Sequence, residues 1–153
     1  YLAIDCGLMN LLEVLNQIRI ISSTIPGIVS SYKGIPEKAP DDDKLPASIT
    51  RFDPENPGTG EMGSLEIWTA RIRVDFLVKR IGDMPTEDSE VYPFLPLMLA
   101  ALRQNVTLNG YGFLHSDFTW NIGQLVLWDS QYAGVSLGLS VGEQLEVAGL
   151  IEP

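Results

Sequence analysis

The chain has 153 residues, of which 45% are apolar and 20% are charged, proportions that argue against wholesale disorder. This length predicts one domain, residues 1–153, that is large enough to bury a core. The pattern predicts neither a membrane helix nor a signal peptide, and the single cysteine, Cys6, excludes an internal disulfide and fits a reducing cytoplasm.

The net charge of −10 opposes binding to the outside of nucleic acid, where lysine and arginine must neutralise phosphates. One interpretation is an acidic surface that merely aids solubility. The other interpretation is a surface that lets DNA pass without holding it. Charge alone does not choose between them.

The first half of the chain is predicted to alternate a helix, short strands and loops. Apolar residues spaced by three and four positions indicate an amphipathic helix that ends at Pro26-Gly27. Prolines, glycines and acidic residues mark the loops. In chain order, we predict a helix over Leu8–Ser23, a short strand over Gly27–Ser31, a loop over Lys33–Pro46, a strand over Ala47–Phe52 and a loop over Asp53–Gly63.

The longest predicted strand covers Leu65–Arg80, where apolar and polar residues alternate. Even-numbered residues from Trp68 to Val78 are apolar, whereas the odd-numbered ones are polar or charged with the one exception of Leu77. This pattern predicts a strand with one buried face and one charged face. At about 3.3 Å per residue, this strand is much longer than an ordinary one. It therefore either bends across a barrel or projects past its own domain toward another subunit.

The second half is predicted to contain an interrupted helix followed by a β-hairpin. Pro93 and Pro96 predict an irregular entry into a helix over Tyr92–Gln104, whose apolar stripe we assign to the core. The further predicted elements are a short strand over Val106–Leu108 ending at Asn109-Gly110, a loop over Gly112–Thr119, hairpin strands over Trp120–Trp128 and Tyr132–Val141 around Asp129-Ser130-Gln131, and a final strand over Gln144–Leu150.

The residue types needed for catalysis or metal binding are sparse. His115-Ser116-Asp117 contains the residue types of a catalytic triad, but a triad is assembled in space from separate segments. Asp41-Asp42-Asp43 lacks the alternating oxygen ligands of a calcium loop, and one histidine with one cysteine cannot form a zinc site alone. We therefore predict a protein that is not an enzyme, with no catalytic, cofactor-binding or metal site.

Together these elements predict an α+β fold, in which helices pack on one face of a mostly antiparallel sheet with a long β-hairpin or extended strand. With the acidic balance and small size, this order of elements resembles the tail terminator (tail completion) proteins of tailed bacteriophages. The resemblance covers nearly the whole chain as an order of elements and not as a sharp motif. It lies in the helix Leu11–Ile21, the strands Pro46–Phe52 and Leu65–Arg80, the helix Tyr92–Gln104 and the late strand Tyr132–Leu137.

The resemblance implies a virion protein at the tail–neck junction, assembled in the host cytoplasm. Its copies are expected to form a ring, a hexamer, that caps the tail tube and contacts the tube protein and a neck or head-completion protein. DNA would pass through this ring without tight binding, and no cofactor and no membrane are expected to take part.

Two sets of residues are candidate sites in such a ring. A strand face made only of glycine and serine is either exposed to solvent or approached closely by a neighbouring subunit, and arginine suits subunit contacts. Carboxylates on an inner wall repel phosphates. The candidate subunit interface consists of Arg71, Arg73, Gly134, Ser136, Gly138 and Ser140, and the candidate channel-facing acidic loops contain Asp41, Asp42, Asp43, Glu55 and Glu61.

Two alternatives stay open at this point. A neck or head-closure adaptor of the phage connector would use similar chemistry. A small soluble ligand-binding or enzymatic α+β domain belongs to a different class, and it need not form a ring.

Overall fold

The computed structural model describes residues 10–54, 58–60, 68–81, 88–115 and 117–142 of the chain. Within these residues it is an α+β fold, a mixed sheet with helices packed on one face, which confirms the predicted fold class. The helices are α1 (Leu11–Ser23), α2 (Asp88–Val91) and α3 (Phe94–Arg103); the strands are β1 (Ser30–Lys33), β2 (Ala47–Phe52), β3 (Gly58–Gly60), β4 (Trp68–Arg80), β5 (Phe113–Leu114), β6 (Thr119–Leu127) and β7 (Ser130–Gly142).

The sheet is built around the long antiparallel pair β4 and β7. Its order is β1-β2-β4-β7-β5, and only β1 and β2 are parallel among the described pairs. The short strand β3 pairs with β4 on the same side as β2. Strands β5 and β6 pair with different parts of β7, on the side of β7 away from β4. Among the described strands, the sheet therefore ends in β1 on one side and in β5 and β6 on the other. None of the described helices is long and apolar enough to cross a membrane.

Helix α1 begins later than the sequence pattern predicts. The Asn10 side chain accepts a hydrogen bond of 3.1 Å from the Glu13 backbone N–H, which makes Asn10 the N-cap and Leu11 the first helical residue. Gly27, at φ +96°, turns the chain toward β1 in a backbone conformation that favours glycine. The amphipathic pattern thus identifies the helix, and the capping hydrogen bond sets its start.

The main core lies between the helices and the even-numbered side of β4. Ile72, Val74 and Phe76 are fully buried there, which confirms the predicted packing of this face for these three residues. The Trp68 side chain lies outside the described residues. Val78 is only partly buried against this core. The other buried members include Val14, Leu15, Ile18 and Ile21 of α1, Phe94, Met98 and Leu102 of α3, and Val135, Leu137, Leu139 and Val141 of β7.

A second, smaller core lies on the opposite face of the sheet and explains why Leu77 breaks the alternation. Leu77 is fully buried there with Ile49 and Tyr132. The pairing of β4 with β7 then shifts between Leu77 and Lys79. Such an irregularity changes the face to which the following side chains point. Accordingly, Lys79 lies 3.9 Å from Glu90 of α2, whereas the guanidinium carbon of Arg80 lies 5.9 Å from the Tyr132 ring centroid.

Several predicted element bounds are wrong, and the reasons are local. The segment predicted as a strand over Val106–Leu108 is a turn followed by a 3₁₀ helix, Leu108–Gly110, because Leu108 reaches the core at φ +47°. The predicted loops over 53–63 and 112–119 contain β3 and β5, two strands too short to show a period. The hairpin turn is the pair Trp128-Asp129, both at positive φ, and the predicted final strand Gln144–Leu150 lies outside the described residues.

Candidate assembly surfaces

Arginine and aspartate residues gather on the sheet face opposite the helices, which we call the charged face: Arg51, Asp53, Arg71, Arg73 and Asp75. The three β4 members are odd-numbered, so their side chains lie opposite the buried even-numbered ones. Arg51 of β2 is the direct cross-strand neighbour of Arg73, and the Asp53 backbone N–H donates to the Arg71 carbonyl at 2.9 Å. The strand register therefore collects these side chains on one surface.

Carboxylates separate the arginines of the charged face. Two arginines directly opposite each other on neighbouring strands would repel, which destabilises a sheet. Asp75 Oδ2 lies 3.3 Å from Arg51 Nη2, and Asp53 Oδ1 lies 3.8 Å from Arg73 Nη2. Each carboxylate thus reaches diagonally across to an arginine of the other strand. The Asp75 side chain is only 4% exposed, so the Asp75–Arg51 ion pair is better protected from water than the Asp53–Arg73 pair.

Arg71 contacts two side chains of its own chain, Ser140 on β7 and Asp117 just before β6. Its Nη1 donates to Ser140 Oγ and lies 3.4 Å from Asp117 Oδ2. The Ser140 hydroxyl donates to the same carboxylate oxygen at 3.1 Å. The chain itself therefore supplies partners for Arg71, as it does for Arg73. The Asp117 side chain is 60% exposed and is the part of this network that is open to solvent.

The glycine and serine face of β7 is in contact with side chains and backbone of its own chain. A Cβ added at Gly138 would lie 2.6 Å from Thr119 Oγ1 and 3.4 Å from an Arg71 guanidinium nitrogen. A Cβ added at Gly134 would lie 2.0 Å from the Phe76 carbonyl oxygen. Ser136 and Gly138 are half-exposed, whereas Gly134 and Ser140 are buried. The fold itself therefore requires glycine at 134, where the close atom is backbone, whereas at 138 the close atom belongs to the exposed Thr119 side chain. The contribution of either glycine to a subunit interface stays a prediction.

Three buried atoms of the charged face have no hydrogen-bond partner in the described part of the chain: Asp75 Oδ1, Arg51 Nε and Arg71 Nε. Buried polar atoms in folded proteins are nearly always satisfied by protein or by ordered water. The charged face consequently has unused donor and acceptor capacity beside its internal ion pairs.

The acidic loop between β1 and β2 lies toward the Tyr132 end of the same face. Asp42 and Asp43 lie in a 3₁₀ turn, Asp42–Lys44, and Asp42 Oδ1 lies 3.8 Å from Arg80 Nε. The side chain of Tyr132, and to a smaller extent the Asp42 carboxylate, raise the pKa of Arg80 above its ordinary value. The Trp128 indole N–H donates to the Pro36 carbonyl at 2.8 Å, which ties this loop to the turn between β6 and β7.

The three aspartates of the first acidic loop, Asp41, Asp42 and Asp43, are all exposed. Glu55 and Glu61 of the second loop lie outside the described residues. Whether either loop faces a channel is therefore still a prediction. In the described ranges, no three histidine, cysteine, aspartate or glutamate side chains are placed to hold a metal ion.

Strand β6 is an exposed edge that sequence reasoning did not single out. Its nine residues, Thr119–Leu127, contain no charged residue and no proline. Trp120 is 56% exposed and Val126 is 63% exposed, although both are large apolar residues. Within the described residues, β6 pairs with β7 alone. The lack of charge was a readable signal, but its importance depends on β6 being at the edge, which only the topology shows.

Strand β1 ends the sheet on the other side. It has four residues, Ser30–Lys33, and pairs with β2 alone among the described strands. Val29, directly before it, is 58% exposed, and Lys33 at its end is also exposed.

Comparison of the chain with protein-family models and with curated proteins found no match.

Proposed function

We propose that this protein is a structural component of a tailed-bacteriophage virion, a tail terminator whose copies form a ring on the end of the tail tube. The ring joins the tube to the neck or head and leaves a passage for DNA. The work of the protein is geometric, and the proposal assigns it no chemical step.

The observation that carries self-association is the uncharged, exposed edge of β6. Natural sheets guard their edges with charges, prolines, bulges or covering elements, because an unguarded edge recruits another strand. Over its nine residues β6 has no charge and no proline, and it exposes Trp120 and Val126. An edge of this kind supports a function that depends on association between copies of the chain.

Two further features support the terminator role in particular. The described chain has the predicted order of an opening helix, short strands, a long two-faced strand, a proline-interrupted helix and a terminal hairpin. The net charge of −10 suits a wall past which DNA slides, because carboxylates repel phosphates.

Native mass spectrometry and negative-stain imaging of the purified protein test the proposal. We expect a single closed species, six-fold in projection, with a central opening. Added to the polymerising tube protein of the same phage, the ring should stop tube growth and give capped tubes of limited length. A protein that stays monomeric at all concentrations, or that leaves tube length unchanged, contradicts the proposal. Rings that bind a head-side connector but no tube would instead favour the adaptor alternative.

A further inference from the structure

We propose that the outer edge of β6 in one copy pairs with the outer edge of β1 in the next copy, so that the sheets of neighbouring subunits join side by side. The inference rests on the proposed ring function, which it makes specific by naming the two surfaces that meet. The partner of β6 is thus a second copy of this chain.

The directions of the strands favour this joint. β1 runs parallel to β2, and each of the next steps, from β2 to β4, from β4 to β7 and from β7 to β6, reverses direction. After three reversals β6 runs opposite to β1. When one copy is placed beside the next in the same orientation, β1 and β6 therefore meet as an antiparallel pair, which is slightly more stable per residue than a parallel one.

Apolar residues flank both edges. Trp120 and Val126 of β6 belong to the sheet side that faces the helices, because they pair with Leu137 and Gln131 across β7. Exposed Val29 directly precedes β1, at the opposite edge of the sheet. Joining the edges would remove apolar surface of both copies from water in addition to forming backbone hydrogen bonds.

Charge disfavours the alternative in which β6 pairs with β6 of a second copy. Exposed Asp117 and Asp129 flank β6, and residues 104–153 contain no lysine or arginine. In an antiparallel β6–β6 pair, the two aspartates would meet each other at both ends. In the β1–β6 pair, exposed Lys33 at the end of β1 instead lies toward the Asp117 end of β6, where opposite charges attract.

The proposed joint also has the symmetry that a ring needs. Two different surfaces meet, so each copy still offers one free β1 edge and one free β6 edge. Such heterologous contacts close into a ring when the rotation between copies allows it, whereas a β6–β6 contact uses both surfaces at once and stops at a dimer.

Lysine substitutions on the two edges test the inference, because lysine is a natural guard of sheet edges. Val126→Lys blocks β6, Val29→Lys blocks β1, and both sites are more than half exposed in the fold. Leu12→Lys on α1 is the matched control, since Leu12 is about as exposed as the two edge residues and belongs to a helix instead of an edge strand. Native mass spectrometry of each variant, and of an equimolar mixture of the two edge variants, counts the subunits.

We expect the two edge variants to be monomers alone and to form one-to-one dimers when mixed, because each retains the edge that the other has lost. The Leu12→Lys protein should assemble like the wild type. If the wild type forms rings and either edge variant also does, the joint is overturned and the ring function stands. If Val126→Lys alone blocks assembly while Val29→Lys assembles normally, a different partner for β6 overturns the β1 joint. A wild-type monomer overturns both proposals.

Hydrogen exchange of the unmodified protein gives a second test that needs no variant. Peptides covering 119–127 and 30–33 should become more protected at assembling concentration than at a concentration that yields monomers. Protection of only one of the two peptides, or of neither, contradicts the joint even if rings form.

Discussion

At the scale of the residue, Phe76 shows how one side chain links the sheet to a helix. It is fully buried and stacks on Phe94 of α3, with ring centroids 6.0 Å apart and an interplanar angle of 17°. Phe76→Ala should lower the free energy of unfolding by about 3–5 kcal/mol through the lost transfer energy and the cavity left behind. Urea denaturation measures the loss. Leu12→Ala is the control, because exposed Leu12 should change stability by less than about 0.5 kcal/mol. Equal stability of both variants would show that the β4 register is wrong.

Glycine at 134 is predicted to be required by the monomer itself. Gly134→Ala puts its Cβ against the Phe76 carbonyl oxygen, a backbone atom that cannot turn away. We expect a loss of about 1–3 kcal/mol or more in the free energy of unfolding, as for overpacked cores. Ser136→Ala, on the same strand and face but half-exposed, is the control and should be nearly neutral. A Gly134→Ala protein that unfolds normally but fails to assemble would instead assign this glycine to the interface.

At the scale of the element, two of the three ion pairs made by the arginines of the charged face differ strongly in burial. Asp75→Ala leaves Arg51 without its partner in a protected place and should cost about 3 kcal/mol, the lower end for a broken buried pair because Arg51 keeps some access to water. Asp117→Ala removes a mostly exposed partner of Arg71 and should cost about 1 kcal/mol or less.

Chemical denaturation of both variants, with Arg51→Met combined with Asp75→Leu as the control, tests this contrast. The double variant removes both charges and should recover most of the loss, because no charge is left unpaired. Similar losses for Asp75→Ala and Asp117→Ala would mean that burial does not set the strength of these pairs.

At the scale of the whole molecule, the charged face also bears on assembly. Reversing Arg71 and Arg73 to glutamate should shift the protein toward monomer in light scattering if these residues contact a neighbour. The substitutions also place like charges near Asp53 and Asp117, so stability must be measured in parallel. A stable double variant that assembles like the wild type would limit these arginines to their internal ion pairs.

The acidic loop gives a whole-molecule prediction about DNA. Replacing Asp41, Asp42 and Asp43 with lysine breaks, among the described residues, one ion pair, which is the long and exposed pair of Asp42 with Arg80, so the proposed ring should still form. If this loop lines the proposed channel, the variant should reduce DNA delivery, because lysines on a channel wall hold phosphates that carboxylates repel. Phage carrying the variant are compared with wild type for infectivity, and imaging checks the rings. Normal infectivity with intact rings would remove the electrostatic role of the loop.

The sequence by itself determined the features that depend on periodicity. Alternation and helical spacing predicted α1, the long strand β4, the interrupted helix at Pro93 and the final hairpin, because burying one face imposes a period of 2 or 3.6 residues on the chain. The buried side of β4 followed from the same rule. Ion-pair partners did not, because Arg51 and Asp75 are 24 residues apart and meet only through the strand register.

Only the tertiary structure decided which surfaces are free and which are already used. Nothing in the residues of β6 marks it as an edge, because an edge is defined by the strand that is missing beside it. The glycine face of β7 is a surface that is already used. The sequence showed only that its residues are small, whereas the structure shows that they make room for Thr119, Arg71 and the Phe76 backbone. Periodicity is a local property of the chain, whereas strand order, register and exposure are set by contacts between segments far apart in sequence.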